Sequence, residues 1–191
     1  MPDIVTTKKK KKDSRIGKTD RDIKRAMLSL IAKEPFDRIR VEQIMVEAPV
    51  TKVTFYRHFT SKDDVLDAIR VDLVDDMITE FNSQPYKNLA GGVSVFYQMM
   101  DRQDTPYRRL FQSEEYEEFR SKLRAGYFSM DFFKKLCPDS AFSEIVPAYI
   151  ADASEGIYRR WKKRPDDRKC SLDELSEMTE KILMGGLNGM K

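Results

Sequence analysis

Six side chains that can donate hydrogen bonds crowd into eight residues: Thr51, Lys52, Thr54, Tyr56, Arg57 and His58. Hydroxyls, an ammonium, a guanidinium and an imidazole at this density suit the recognition of base edges and phosphates. A core helix that buried them all would carry a large desolvation cost. The segment is therefore expected to form a short helix with a wide wet face. Phe55 and Phe59, four residues apart, can anchor its other side. On the residues alone two readings stay open: a recognition helix in a major groove, or an ordinary amphipathic surface helix.

Other chemistry has weaker support. His58 is the only histidine, with no activated nucleophile near it in sequence. A general base is thus less expected there than a phosphate or surface role. Cys137 and Cys170 are too few for a disulfide framework and fit a reducing compartment. Cys137, beside Pro138, could sense redox state, but a buried inert cysteine is the plainer reading. No Cys/His cluster has zinc spacing. No metal, cofactor or catalysis is expected; a small helical enzyme using Cys137 or His58 is the alternative from a different class.

The elements that must position these residues read as helices, with breakers between them. Residues 1–18 are polar and basic without apolar periodicity, so a flexible basic arm is expected. Thr19 and Asp22 have capping-box spacing and predict the first helix start, with Ile23, Met27, Leu30 and Ile31 as its apolar stripe. Pro35 ends it. A short second helix carries Val41, Ile44, Met45 and Ala48, and Pro49 interrupts the chain. The third spans Thr51 to about His58. Ser61 and Asp64 cap a fourth, with Val65, Leu66, Ile69, Leu73 and Met77 on its stripe.

Beyond Pro85, helical spacing continues through Leu89, Val93, Phe96, Tyr97 and Met100. Pro106 suits the first turn of a short helix. A long helix is then predicted from Tyr116 past Met130 to a break at Pro138, and another from Ser140 through Ile145, Ile150, Ile157 and Trp161. Ser171 and Glu174 open the last, with Leu175, Met178 and Ile182. No strand alternation, hairpin signal or repeat occurs, so the fold class is all-α. The predicted organisation is an arm (1–18), a helix-turn-helix domain (19–66) and a helical C-terminal domain (67–191), with the fourth helix belonging to both domains.

Charge divides the same way. Residues 1–62 hold 16 Lys/Arg against 8 Asp/Glu, and the remainder holds 19 against 24. A basic third joined to an acidic remainder suggests a nucleic-acid module joined to something else, although Lys8 to Lys12 supply much of the excess. No apolar run approaches the ~18 residues of a membrane span. The lysine run has no apolar segment behind it, so it is not a secretory signal. The expected location is the cytoplasm.

The stretch Ala48-Pro49-Val50-Thr51-Lys52-Val53-Thr54-Phe55-Tyr56-Arg57-His58-Phe59-Thr60-Ser61-Lys62-Asp63-Asp64-Val65-Leu66 resembles the signature of the TetR (tetracycline-repressor-like) family. Phe36, Val41 and Ile44 also match, and the likeness covers about residues 19–70. The region around Gly156, Tyr158 and Trp161 is more loosely similar to one of the family's regulatory-domain groups. The resemblance implies that Lys52, Val53, Thr54 and Tyr56 face the groove. Lys52 would donate to guanine, and Val53 would touch a thymine methyl. It implies that His58, Lys62 and Arg40 meet phosphates; Thr51 and Arg57 complete the candidate DNA contacts. Two positions depart from the family pattern. Pro49 stands where glycine is usual, and proline cannot adopt a positive φ, so the turn must take another shape. Val53 also stands where glycine is common.

The family likeness further implies a homodimeric repressor on a near-palindromic DNA operator, with half-sites about 34 Å apart when one turn separates them, and residues 67–191 as its ligand-binding and dimerisation domain. Two apolar stripes, Ile150, Ile157 and Trp161 on one helix and Leu175, Met178 and Ile182 on the next, are the expected dimer interface. The alternative is that they are intrachain core. A small apolar or aromatic effector is expected among Phe96, Met100, Tyr107, Phe111, Tyr127 and Phe128, where methionine and aromatic walls adapt to varied shapes. The competing readings are a closed core there, and a regulator or activator controlled by a protein partner.

Overall fold

The computed structural model describes residues 4–85, 87–136, 142 and 144–188, with side chains for those from 17 to 185. Ten α-helices follow one another: α1 (Ile4–Lys33), α2 (Val41–Glu47), α3 (Lys52–His58), α4 (Lys62–Ser83), α5 (Leu89–Met100), α6 (Thr105–Gln112), α7 (Glu117–Phe128), α8 (Asp131–Lys134), α9 (Ile145–Lys162) and α10 (Leu172–Asn188). Single 3-10 turns sit at Phe36–Arg38, Glu114–Tyr116 and Asp166–Arg168. Among the described residues there is no strand, and the fold is all-α as the periodicity predicts.

Local chemistry explains most boundaries. Ser61 Oγ accepts from Asp64 N at 3.1 Å and starts α4. Asn88 caps α5 by accepting from Gly91 N at 2.9 Å. Pro106 lies in the first turn of α6, where its missing N–H costs nothing. At α10 the capping box is complete: Ser171 Oγ accepts from Glu174 N, and Glu174 Oε2 accepts from Ser171 N at 2.8 Å.

Two boundaries differ from the sequence reading. Helix α1 begins at Ile4, so Thr19 lies inside it and residues 4–18 continue the helix. Lysine and arginine are good helix formers and no proline interrupts the run, so the Thr19 cap signal has nothing to terminate. The predicted long helix past Met130 is two: α7 stops at Phe128, and α8 follows after a tight turn. The expected Ser140 cap, with Cys137 and Pro138, lies outside the described residues.

Helix α4 runs unbroken across the predicted boundary at residue 66. It packs on α1 and also on α5 and α7. Ile23, Met27, Ile44, Phe55, Val65 and Ile69 are buried in the same continuous core as Met77, Phe81, Phe96, Tyr127 and Phe133. Helix α10 lies along α5, where Tyr97 and Thr179 share a buried hydroxyl–hydroxyl bond of 2.9 Å. Burial pushes the Tyr97 phenol up to about 12. At Gly92 a Cβ would come within 2.8 Å of the buried Phe133 ring, so the close approach of α5 to α8 there favours glycine.

Candidate nucleic-acid interface

Helix α3 is short, and side-chain bonds define it. Thr51 precedes its first residue, and its Oγ1 accepts from Thr54 N at 3.2 Å. Phe55 is fully buried and Phe59 nearly so; their rings lie 6.3 Å apart and hold α3 to the core. The opposite side is open. Lys52 and Arg57 are exposed, Val53 is 79% exposed and Tyr56 is 48% exposed. Positions 52 and 56, and 53 and 57, are one turn apart, so the four form a single outward face. Thr54 is half-buried, with its hydroxyl 2.9 Å from that of Thr51.

The turn before α3 is made without left-handed backbone. No described residue has a positive φ. Ala48 ends α2 at φ −92°, ψ 10°, donating to Ile44 O, and Val50 N then donates to Met45 O at 3.0 Å. Pro49 sits between these two bonds, where its lack of an N–H leaves no carbonyl unserved. Glu47, the last residue of α2, accepts from Ser29 Oγ at 2.6 Å and so ties α2 to α1. Hydrogen bonds from Ser29 and Lys33 hold the Glu47 carboxyl below the usual range. Arg40, just before α2, is exposed.

Two expected phosphate contacts point elsewhere. The Lys62 ammonium donates to the carbonyls of Phe36 (2.8 Å) and Ile39 (3.1 Å) and stands 4.4 Å from the centre of the Phe36 ring. It closes the carbonyl end of the 3-10 turn, and the aromatic face adds attraction. The His58 side chain is only 4% exposed; its Nδ1 pairs with Asp20 Oδ1 at 2.5 Å, and its Nε2 is buried without a partner. Both residues therefore position α3 and α4. The pairing of Asp20 with His58 had no signal in the sequence, since the two lie 38 residues apart.

Residues 23–69 match the family of bacterial regulatory proteins, tetR family. Over these residues the chain carries the family's N-terminal domain. A solved TetR transcriptional regulator from Streptococcus agalactiae 2603V is similar over 90% of this chain and 97% of that chain, at 16% identity and a TM-score of 0.63. At that identity the likeness concerns the fold, and it extends the family arrangement through the C-terminal helices. No curated protein sequence matches. The match supports a DNA-binding transcriptional regulator, and α2, its turn and α3 form the helix-turn-helix within the matched residues. No helix among the described residues is long and apolar enough to cross a membrane.

The C-terminal helices correct the sequence expectations at several residues. Phe96, Tyr127 and Phe128 do not wall an open space. They pack on one another and on Phe133 with ring centroids 4.7–5.5 Å apart, and Tyr127 donates to Gly92 O at 3.0 Å. The rings meet edge to face and tilted, the arrangements that aromatic pairs prefer. Tyr107 stacks on Phe111 and lies under Arg102. Met100 and Phe111 border a separate cleft with Tyr158 and Arg159. Of the expected dimer residues, Ile150, Trp161 and Leu175 are buried in the chain's own core. Trp161 Nε1 donates to Cys170 O at 2.9 Å, pinning α9 to the segment before α10. Ile157 is half-buried, and Met178 and Ile182 are exposed.

Proposed function

We propose that the protein is a homodimeric cytoplasmic repressor that sets α3 of each protomer into successive major grooves of a near-palindromic operator. The outward face of α3 carries this reading. Lys52 and Arg57 supply donors, Tyr56 a hydroxyl and Val53 an apolar contact for a thymine methyl, while Phe55, Phe59 and His58 hold the helix from behind. Arg40 is assigned to phosphate, which fixes register without carrying sequence information. Binding alone accounts for the proposed role, with no cofactor or catalytic step.

The dimer is assigned to the free sides of α9 and α10. Ile145 and Tyr149 are 61% and 54% exposed on one, and Met178 and Ile182 are 42% and 54% exposed on the other. Apolar side chains one turn apart on neighbouring helices suit a four-helix bundle with a symmetry mate. Control by a small effector completes the proposal; it works by differential affinity for two states of the dimer. The closed aromatic packing of Phe96, Tyr127 and Phe128 favours a different seat for that effector, or control through a protein partner. Titration of a selected duplex tests the DNA reading: Lys52→Ala should lose about 1–3 kcal/mol of discrimination at one or two operator positions. Unchanged preference at every position would remove α3 from the groove.

A further inference from the structure

Helices α5, α6, α7 and α9 border an open cleft of about 300 Å³ that the DNA-binding reading does not use. This is near the lower end of the size range of small-molecule sites. One wall is apolar, formed by the buried side chains of Met100 and Phe111. The rest is cationic: Arg120, Arg159, Lys162 and Lys163 line it, against one acidic side chain, Glu114. Tyr158 adds a buried phenol whose hydroxyl donates to Asp101 Oδ1 at 2.9 Å.

The charges are arranged unequally. Arg120 is 5% exposed and donates to the carbonyls of Leu110 and Ser113. Arg120 and Arg159 both donate to one atom, Glu117 Oε2, at 2.5 and 2.7 Å. Lys162 pairs with Asp101. Lys163 is exposed and has no ion-pair partner among the described residues. Arg159 also donates to Glu155 Oε1 at 2.8 Å, so both guanidiniums are paired and Lys163 is the cation of the cleft wall left without an ion-pair partner among the described residues. An anion in the cleft would give Lys163 the partner it lacks and lie within reach of the Arg159 edge of the wall. The walls are fixed in advance, because Arg124 on α7 pairs with Asp152 and Glu155 on α9.

We propose that this cleft is the effector site and takes a compact amphipathic anion, with its apolar part on Met100 and Phe111 and its anionic group at Arg159 and Lys163. The inference rests on the reading of the chain as an effector-controlled regulator. It replaces a purely apolar ligand by a charged one, because the only apolar wall here is opposed by guanidinium and ammonium groups. The cleft has a short route to the DNA-binding domain. On α6, two residues before Phe111 of the cleft wall, Arg109 Nη1 donates to Ile31 O of α1 at 3.1 Å. Helix α1 holds α3 through Asp20 and His58.

The test uses the full chain without DNA and two probes matched in length: octanoate and 1-octanol, with inorganic phosphate as a third. Calorimetric titration should show octanoate binding at least about tenfold more tightly than octanol, the scale of one charge-assisted hydrogen bond. Lys163→Glu, at an exposed position, and Arg159→Gln should each weaken octanoate by about tenfold while leaving the circular dichroism unchanged. Equal binding of octanol and octanoate would overturn the anionic assignment. Phosphate binding as tight as octanoate would overturn the apolar one. Binding of neither organic probe, or octanoate affinity unaltered in both variants, would overturn the site. Since no DNA is present, octanoate binding by a chain that selects no duplex would support the cleft while refuting the regulator reading separately.

Discussion

Nδ1 of His58 and Oδ1 of Asp20 stand 2.5 Å apart, so the last residue of α3 is tied directly to α1. The other ring nitrogen, Nε2, is buried without a partner. Removing Asp20 leaves both imidazole nitrogens buried and unserved. Asp20→Ala should destabilise the fold by about 1–3 kcal/mol, and weaken DNA binding without changing base preference. Urea unfolding with a duplex titration reads both. An unchanged midpoint would make the contact dispensable.

Lys62 and Arg40 should separate in salt titrations. Arg40→Ala removes an exposed guanidinium, so the slope of log affinity against log salt should fall by about one unit. The Lys62 ammonium is already bonded to Phe36 O and Ile39 O. Lys62→Met should therefore lower the melting temperature and leave the salt slope near the wild-type value. A unit change in slope for Lys62→Met would restore it as a phosphate contact.

Glu47 gives the fold an acid sensitivity with a definite sign. Its carboxyl is held below the usual range by hydrogen bonds from Ser29 and Lys33. A depressed carboxylate contributes stability above its unfolded value, and that contribution is lost as pH falls through the folded one. The wild type should lose more stability between neutral pH and the acid range than Glu47→Gln does. Thermal melts across that range, giving parallel losses in both proteins, would contradict the assignment.

The face of α10 is open to one contrast. Ile182 is 54% exposed, whereas Ile150 on α9 is fully buried. Ile182→Glu should yield a folded monomer, and Ile150→Glu an unfolded or aggregated chain, since an unpaired charge in a closed core is costly. Sedimentation with circular dichroism distinguishes them. A dimeric Ile182→Glu would move the interface elsewhere.

The chemistry of α3 was legible because it is local. Thr51, Phe55, Phe59 and Ser61 act within a few residues of one another, so caps and spacing reveal them. The inward turn of Lys62 was not, because its carbonyl partners lie 23 to 26 residues upstream and a basic residue at a helix start reads equally well as an anion contact. The apolar stripes of α9 and α10 marked the helices but not their partners: periodicity places Ile150 and Ile182 on apolar faces and says nothing of which face the chain itself covers. The aromatic run around Phe128 failed for a related reason, since residue type gives the wall material of a cavity and only packing decides whether space remains. Residues 4–18 lacked apolar periodicity, yet helix needs only compatible residues and no breaker.

Selection of bound duplexes from a random pool tests the central claim most directly. If two α3 helices read successive major grooves, the recovered sequences should share two inverted half-sites with centres about 10 base pairs, or a multiple of that, apart. Repeating the selection with Lys52→Ala should blur one or two positions in each half-site and keep the spacing. Recovery of unrelated sequences, or of a single half-site with no symmetric mate, would contradict the account.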